Sequence, residues 1–278
     1  MVTRKQHYYP RGLLKHFANE QNKVYVYIPQ SNKISTMDYA NVCVKKDTYE
    51  SNDKVDNILE NILGNYESQV CSIVEIILKN TDVYELSITV SQQQILYRYM
   101  WLQFLRTDAG RIHFMSLYEN IFSYKNRTQP IELEEIKNNK NQERINNFNY
   151  VFKQTKVLEK FLKAIEIPDN MFFHIARSRT DLITSDNPVI ITDNGKQLLL
   201  PISQNLCIEF QDASANYSNN LIVELFPQKA RYLKEATINT ANYCVIANNP
   251  VDIKLNNYIY KRFRKENWKI GAPHIPKV

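Results

Sequence analysis

Residues 171–210, MFFHIARSRTDLITSDNPVIITDNGKQLLLPISQNLCIEF, decide the fold. The runs MFFHIARS, LITSDNPVIIT, QLLLPIS and LCIEF are short, apolar or β-branched, and separated by turn residues. That is the pattern of a strand series, and LIVELF at 221–226 extends it. Upstream the period changes. Ile58, Leu59, Ile62, Leu63, Tyr66, Val70, Ile73, Val74 and Ile77 recur at three- and four-residue steps, predicting an amphipathic helix from Asp53 to about Lys79. Helical patterns follow at about 90–106, 111–123 and 142–166, with a polar connection between the last two whose acidic part begins a helix. Strands gathered apart from helices, with no βαβ alternation, specify an α+β fold.

The N-terminal part adds a β-hairpin. KVYVYIPQSNKISTMDY (23–39) alternates apolar and polar residues around a Pro-Gln-Ser-Asn-Lys turn, and VCVKKDTY (42–49) is a further extended piece. A lone hairpin is marginal in water, so it is expected to pack with the later strands. Residues 230–247 read as mixed helical, and 251–278 as a basic C-terminal extension. The whole, 1–278, reads as a single α+β domain: N-terminal hairpin and C-terminal strand series packed with a central block of helices.

Composition narrows the function classes only coarsely. Hydrophobic residues make up 44% and charged residues 23%, with a formal charge of +6. Such an excess suits nucleic acid or another polyanion, and equally a protein that binds neither. Cys43, Cys71, Cys207 and Cys244 form no C-x-x-C pair and no zinc-finger spacing, and read as buried free thiols of a reducing compartment. With no signal-peptide core and no run of 18 apolar residues, the expectation is a cytoplasmic chain with no membrane partner.

Four stretches carry candidate chemistry. In RKQHYYPRGLLKHFA (4–18), Pro10 starts a short helix over Arg11–Phe17, leaving His7 in an extended segment beside the helix N-terminus. There the dipole favours the neutral imidazole that a base or metal ligand needs. The alternative is a histidine that pins the N-terminus through a backbone carbonyl. His16 falls on the polar side and reads as solvated. On the long helix, Glu60 and Glu67 are about 20° from alignment on the flank of the apolar stripe, with Asp53 and Asp56 on the same side. They read as metal ligands, as an acid of raised pKa, or as ordinary salt-bridging residues. In TSDNPVIIT (184–192), Asp186 either projects into a cleft or closes an Asx-turn. Last, YIYKRFRKENWK (258–269) interleaves aromatics with Lys261, Arg262, Arg264, Lys265 and Lys269. Such letters suit base stacking with phosphate neutralisation, or an amphipathic helix packing Leu255, Ile259 and Phe263 with a basic outer face. No phosphate-cradling glycine loop or G-x-S-x-G elbow is present.

QHYYPRGLLKHFA, VYVY, DTYE, ILENILGNYE, TSDNPV, LLLPIS and INTANYCVIAN, in that order, resemble the bacterial family catalogued as domain of unknown function 4238, over about residues 4–250. The resemblance supplies no reaction. It implies that Gln6, His7, Pro10, Glu60, Glu67, Ser185, Asp186, Asn187 and Pro188 belong to recurring motifs, and that His7, Glu60, Glu67 and Asp186 share one pocket.

Three functions are then expected, in this order. The first is a metal-assisted phosphodiesterase or nuclease. His7 and Asp186 would be catalytic, Glu60 and Glu67 would hold Mg or Mn, and Gln6, Arg4, Arg11 and Asn187 would bind the ligand, with Lys5 beside them. The second is a non-catalytic ligand- or partner-binding sensor module. The third is a nucleic-acid-binding protein that works through its basic C-terminal stretch.

Overall fold

A computed structural model describes residues 4–264 except 53, 124–126, 128, 155, 193–194 and 213–218. The expected calls on Asp53, Lys265, Trp268 and Lys269 lie outside the described residues. The chain opens with β1 (Lys5–His7) and α1 (Arg11–Leu14), which tightens into a 3-10 turn over Lys15–Phe17. The hairpin follows as β2 (Lys23–Ile28) and β3 (Lys33–Asp38), and then β4 (Val44–Lys46). At its turn Asn32 takes a left-handed φ of 50°, and Tyr27 Oη donates to its side chain at 2.8 Å.

The helical block comprises α2 (Ile58–Lys79), α3 (Val90–Arg106), α4 (Asp108–Glu119), α5 (Leu133–Ile136), α6 (Asn139–Phe152) and α7 (Val157–Ala164). The α2 stripe is buried as its spacing requires, with Leu59, Leu63, Val70, Ile73, Val74 and Ile77 against the core. A reciprocal capping box between Thr89 and Gln92 starts α3. The helix expected at 111–123 starts earlier, because Thr107 ends α3 and caps α4 by accepting from Gly110 N at 3.0 Å. A Cβ on Gly110 would sit 1.9 Å from the Phe104 carbonyl oxygen, so only glycine lets the two helices abut. The single helix expected at 142–166 is two helices, broken where Lys156 takes a left-handed φ of 65°.

The strand series forms β5 (Met171–Arg177), β6 (Thr184–Ser185), β7 (Ile190–Thr192), β8 (Gln197–Pro201), β9 (Leu206–Asp212) and β10 (Leu221–Glu224). After α8 (Pro227–Thr240), β11 (Val245–Ala247) and α9 (Ile253–Arg264) complete the described chain. Residues 245–247, expected as part of a helical segment, are thus a strand. One sheet runs β10-β5-β9-β8-β7, a second β3-β2-β11-β6, and β1 pairs with β4 alone. The hairpin does pack with later strands: β11 joins β2 to β6, antiparallel to both.

The five-stranded sheet is covered on both faces. Phe173, Ile175, Leu198, Leu200, Ile208 and Phe210 join the core of the helical block. The opposite face, with Ala176, Leu199 and Cys207, packs on Ala230, Leu233 and Ala236 of α8. Within that second layer lies a sealed polar network. Lys229 Nζ donates to both Glu209 carboxylate oxygens at 2.9 and 2.8 Å, and Gln197 Nε2 donates to Oε1 at 2.7 Å. His174 Nε2 stands 3.5 Å from Oε2. Despite complete burial, which raises a carboxyl, His174 and Lys229 bring Glu209 down to about 2.

Candidate functional site

The site grows from the alternation of β1. Gln6 points inward and is fully buried. Its Nε2 donates to Glu50 Oε1 at 2.7 Å, while its own Oε1 accepts Tyr49 N–H at 2.9 Å. Glu50 Oε2 in turn accepts Asp56 N–H at 2.9 Å, which fixes the approach to α2. Gln6 is therefore a strut that sets where α2 begins.

His7 is half-buried. Its Nε2 lies 3.0 Å from the Ala40 carbonyl oxygen, which can only accept. Nε2 therefore carries the proton of the neutral ring, and Nδ1 is the basic nitrogen. No group among the described residues hydrogen-bonds Nδ1. Burial lowers the imidazole pKa below its ordinary 6.5, and Arg11 and Arg106 lower it further against the Ala40 bond and Glu67.

Arg106, the last residue of α3, organises the surroundings while 1% exposed. Its guanidinium donates to Tyr49 Oη at 2.9 Å and to the His7 carbonyl, and pairs with Glu67. It also lies over the Tyr49 ring, 5.6 Å from the centroid, with Arg111 at 5.5 Å from the same ring. Burial pushes the Tyr49 phenol up to about 12, so it stays a donor and accepts from Arg106 as a neutral group. Glu60 faces this assembly half-buried. Its Oε2 is enclosed and has no hydrogen-bond partner among the described residues. Burial, with the charges of Glu67 and Glu50, raises its pKa to about 7 although Arg106 opposes the shift. Arg106 thus pairs with Glu67, and its charge acts on both His7 and Glu60.

Asp186 is placed elsewhere. Its carboxylate accepts the backbone N–H groups of Asn242, Tyr243 and Cys244, each at 3.0 Å to Oδ1. Burial still raises it to about 7. Ser185 Oγ donates to the Asn187 carbonyl at 3.0 Å, and Asn187 Nδ2 bonds the Thr240 carbonyl at 2.6 Å and Asn242. TSDNPV is therefore a buried clasp that holds residues 240–244. With Tyr8, Thr107, Asp108 and Tyr243, Asp186 and Asn187 line a separate small hollow.

Arg4 is exposed and paired with Asp47, with Nε to Oδ1 at 2.6 Å. Arg11 is exposed and carries no carboxylate partner among the described residues, so it is the cation free to meet an anion beside His7. His16 is half-buried, 3.5 Å from Glu75, where solvation was expected, because the 3-10 turn rotates it toward α2. On α9, Leu255 and Ile259 are buried as predicted, but Arg262 turns inward to Glu132 at 3.0 Å and the Asn239 carbonyl at 3.3 Å. Arg262 therefore leaves the basic face.

Sequence reasoning missed Arg106, Tyr49 and Arg111, and the cluster of Lys45, Asp108 and Tyr243, where Lys45 and Tyr243 reach Asp108 Oδ2 at 3.0 and 2.6 Å. One signal was present. RTDAGR (106–111) holds a cap and a glycine between two arginines, which marks a helix junction aiming both inward.

Among the described residues, no three His, Cys, Asp or Glu side chains group as metal ligands, and no helix is long and apolar enough to cross a membrane. The model of a family described as "Protein of unknown function (DUF4238)" matches residues 5–250. No curated protein and no solved structure matches the chain.

Proposed function

The chain belongs to the DUF4238 family, and we propose that it hydrolyses an anionic ester, a phosphodiester, by acid–base catalysis at the cluster of His7, Glu60 and Arg106. One observation carries this reading: Glu60 Oε2 is enclosed without a hydrogen-bond partner beside a buried guanidinium. A native fold rarely leaves such an oxygen unless something else uses it.

The pKa order is the productive one. His7 lies below 6.5 and Glu60 at about 7, so between these values the base is free and the acid still holds its proton. His7 Nδ1 takes the proton of the attacking water. Glu60 gives its proton to the leaving oxygen. Arg11 neutralises the non-bridging oxygens, while Arg106 acts as a positioning residue through the His7 carbonyl and Tyr49. A Mg²⁺ or Mn²⁺ ion held by Glu60 and Glu67 would need both carboxylates ionised, so it would take the place of Glu60's acid role, and it would have to part Glu67 from Arg106. When bound it would supply Lewis-acid polarisation of the phosphoryl oxygen.

The test is turnover of bis(p-nitrophenyl) phosphate and of mixed RNA and DNA substrates by the purified chain, with EDTA, Mg²⁺ or Mn²⁺. His7→Ala and Glu60→Gln should each lower the rate about 10²–10⁴-fold. The wild-type profile should be bell-shaped, with an acid limb below pH 6.5 and an alkaline limb near 7. Wild-type turnover matched by both variants would defeat the reading.

A further inference from the structure

A groove of about 1210 Å³ runs between α8 and α9, closed at one end by the segments that follow β5 and β10. None of its lining residues belongs to the cluster around His7 and Arg106. Arg179, Arg231, Lys234, Lys254 and Lys261 line it, against the acids Glu224, Glu235 and Asp252.

The acids are already engaged. Glu235 holds Arg231 at 2.8 Å, Glu224 takes Arg177 and stands 3.6 Å from Arg179, and Asp252 caps α9 by accepting Leu255 N–H at 2.8 Å. Asp252 keeps its charge as a cap, and with Asp181 it acts on Lys234, so two lysines are left over. Lys254 and Lys261 are exposed with no carboxylate partner among the described residues, and Lys234 Nζ reaches only the Thr180 hydroxyl, at 3.1 Å. Five cations against three acids leave the groove's lining with a net positive charge.

Two aromatic residues share the same walls. Phe226 is 44% exposed at the start of α8, and Tyr258 is steadied by its hydroxyl on Asn239 at 3.2 Å. The first turn of α8 adds unpaired N–H groups and the positive end of its dipole. Thr180 and Asn257 bring a hydroxyl and an amide that suit a ribose 2′-OH.

We propose that this groove binds single-stranded RNA, with Lys234, Lys254 and Lys261 on its phosphates and Phe226 and Tyr258 beneath its bases. The proposal goes beyond the hydrolase reading: it assigns a second site and rests on the groove's own residues. A lone small-molecule anion would need neither three separated lysines nor two ring faces, whereas a strand repeats phosphate and base along its length.

Binding of a fluorescein-labelled 12-mer RNA to the full chain tests it, in the Glu60→Gln background so that the strand stays intact. Replacing Lys234, Lys254 and Lys261 together by Ala should weaken binding at least tenfold. It should also reduce the slope of log K against log salt by about 2, since each single-strand phosphate contact contributes about 0.7. Phe226→Ala should weaken binding about tenfold with the slope unchanged. Lys254→Arg with Lys261→Arg should retain affinity, which separates lost charge from lost folding. In the wild-type background the triple variant should still turn over bis(p-nitrophenyl) phosphate, so a failed groove and a failed active site give different results. Unchanged affinity and slope would overturn the proposal, as would equal binding of heparin or of the matching oligodeoxynucleotide.

Discussion

Two clusters in this molecule contain the same ingredients, a glutamate, a cation and a histidine, and they behave in opposite ways. Beneath α8, Glu209 receives Lys229 on both oxygens and Gln197 besides, and is driven down to about 2. Around His7, Arg106 is committed to Glu67, Tyr49 and the His7 carbonyl, and Glu60, whose Oε2 finds no hydrogen-bond partner among the described residues, rises to about 7. Burial acts upward on both carboxyls. The outcome is decided by whether donors reach the oxygens. A carboxylate saturated by its partners supports the scaffold, and one that is enclosed but unpaired is available for proton transfer.

Breaking the sealed cluster should have the largest effect on stability. Lys229→Met leaves the Glu209 charge buried and uncompensated, at a cost of about 3–5 kcal/mol. At about 2–4 °C per kcal/mol for large domains, the melting temperature should fall by about 6–20 °C. Adding Glu209→Leu should recover most of that loss, because exchanging both partners for apolar groups is close to neutral. A double variant as unstable as the single one would show that the network does more than neutralise itself. The sign with pH follows from the lowered Glu209. Its contribution is present above the unfolded value near 4.5 and is lost as pH falls toward about 2.

Arg106→Met comes next. It deprives Glu67, Tyr49 and the His7 carbonyl of their donor, and should cost about 2–3 kcal/mol in thermal or urea unfolding. Arg106 lowers both His7 and Glu60, so its loss should move both limbs of the pH–rate profile upward.

The smallest effect is expected for Glu60→Gln in unfolding experiments. The folded Glu60 holds its proton up to about pH 7, whereas the unfolded one releases it near 4.5. The wild type therefore loses stability, relative to the variant, as pH rises through that window. The difference in melting temperature, variant minus wild type, should be more positive at pH 8.5 than at pH 5. A difference that does not change with pH would place Glu60 in ordinary solvent.

The same contrast explains what the sequence made legible. The end of α2 and both ends of α3 followed from an unbroken apolar stripe, and the hairpin from alternation. The start of α2, expected at Asp53, is at Ile58, because Glu50 binds the Asp56 and Asn57 N–H groups before it. The α6–α7 break did not, because Lys156 gives no local sign that it will adopt a left-handed φ. Nor did β11. Residues 242–244 leave the helical pattern because Asp186, 56 positions earlier, binds their N–H groups. Among the candidate site residues, Glu60 and Glu67 stood out by helical spacing, and His7 by its place before Pro10. Arg106 did not, since an arginine at a helix C-terminus ordinarily reads as a solvated charge complementing the dipole. Its burial depends on Tyr49 and His7, both remote in sequence.

The placement of β2 between β3 and β11 has a consequence for how the chain is made. The hairpin forms near the N-terminus, but its inner edge is paired only by Val245–Ala247. About 220 residues must follow Ile28 before that strand exists, which at about 5–20 residues per second takes about 11–44 s on the ribosome. Throughout that interval Val24 and Val26, no more than 2% exposed in the finished fold, sit on an unpaired edge open to any neighbouring nascent chain.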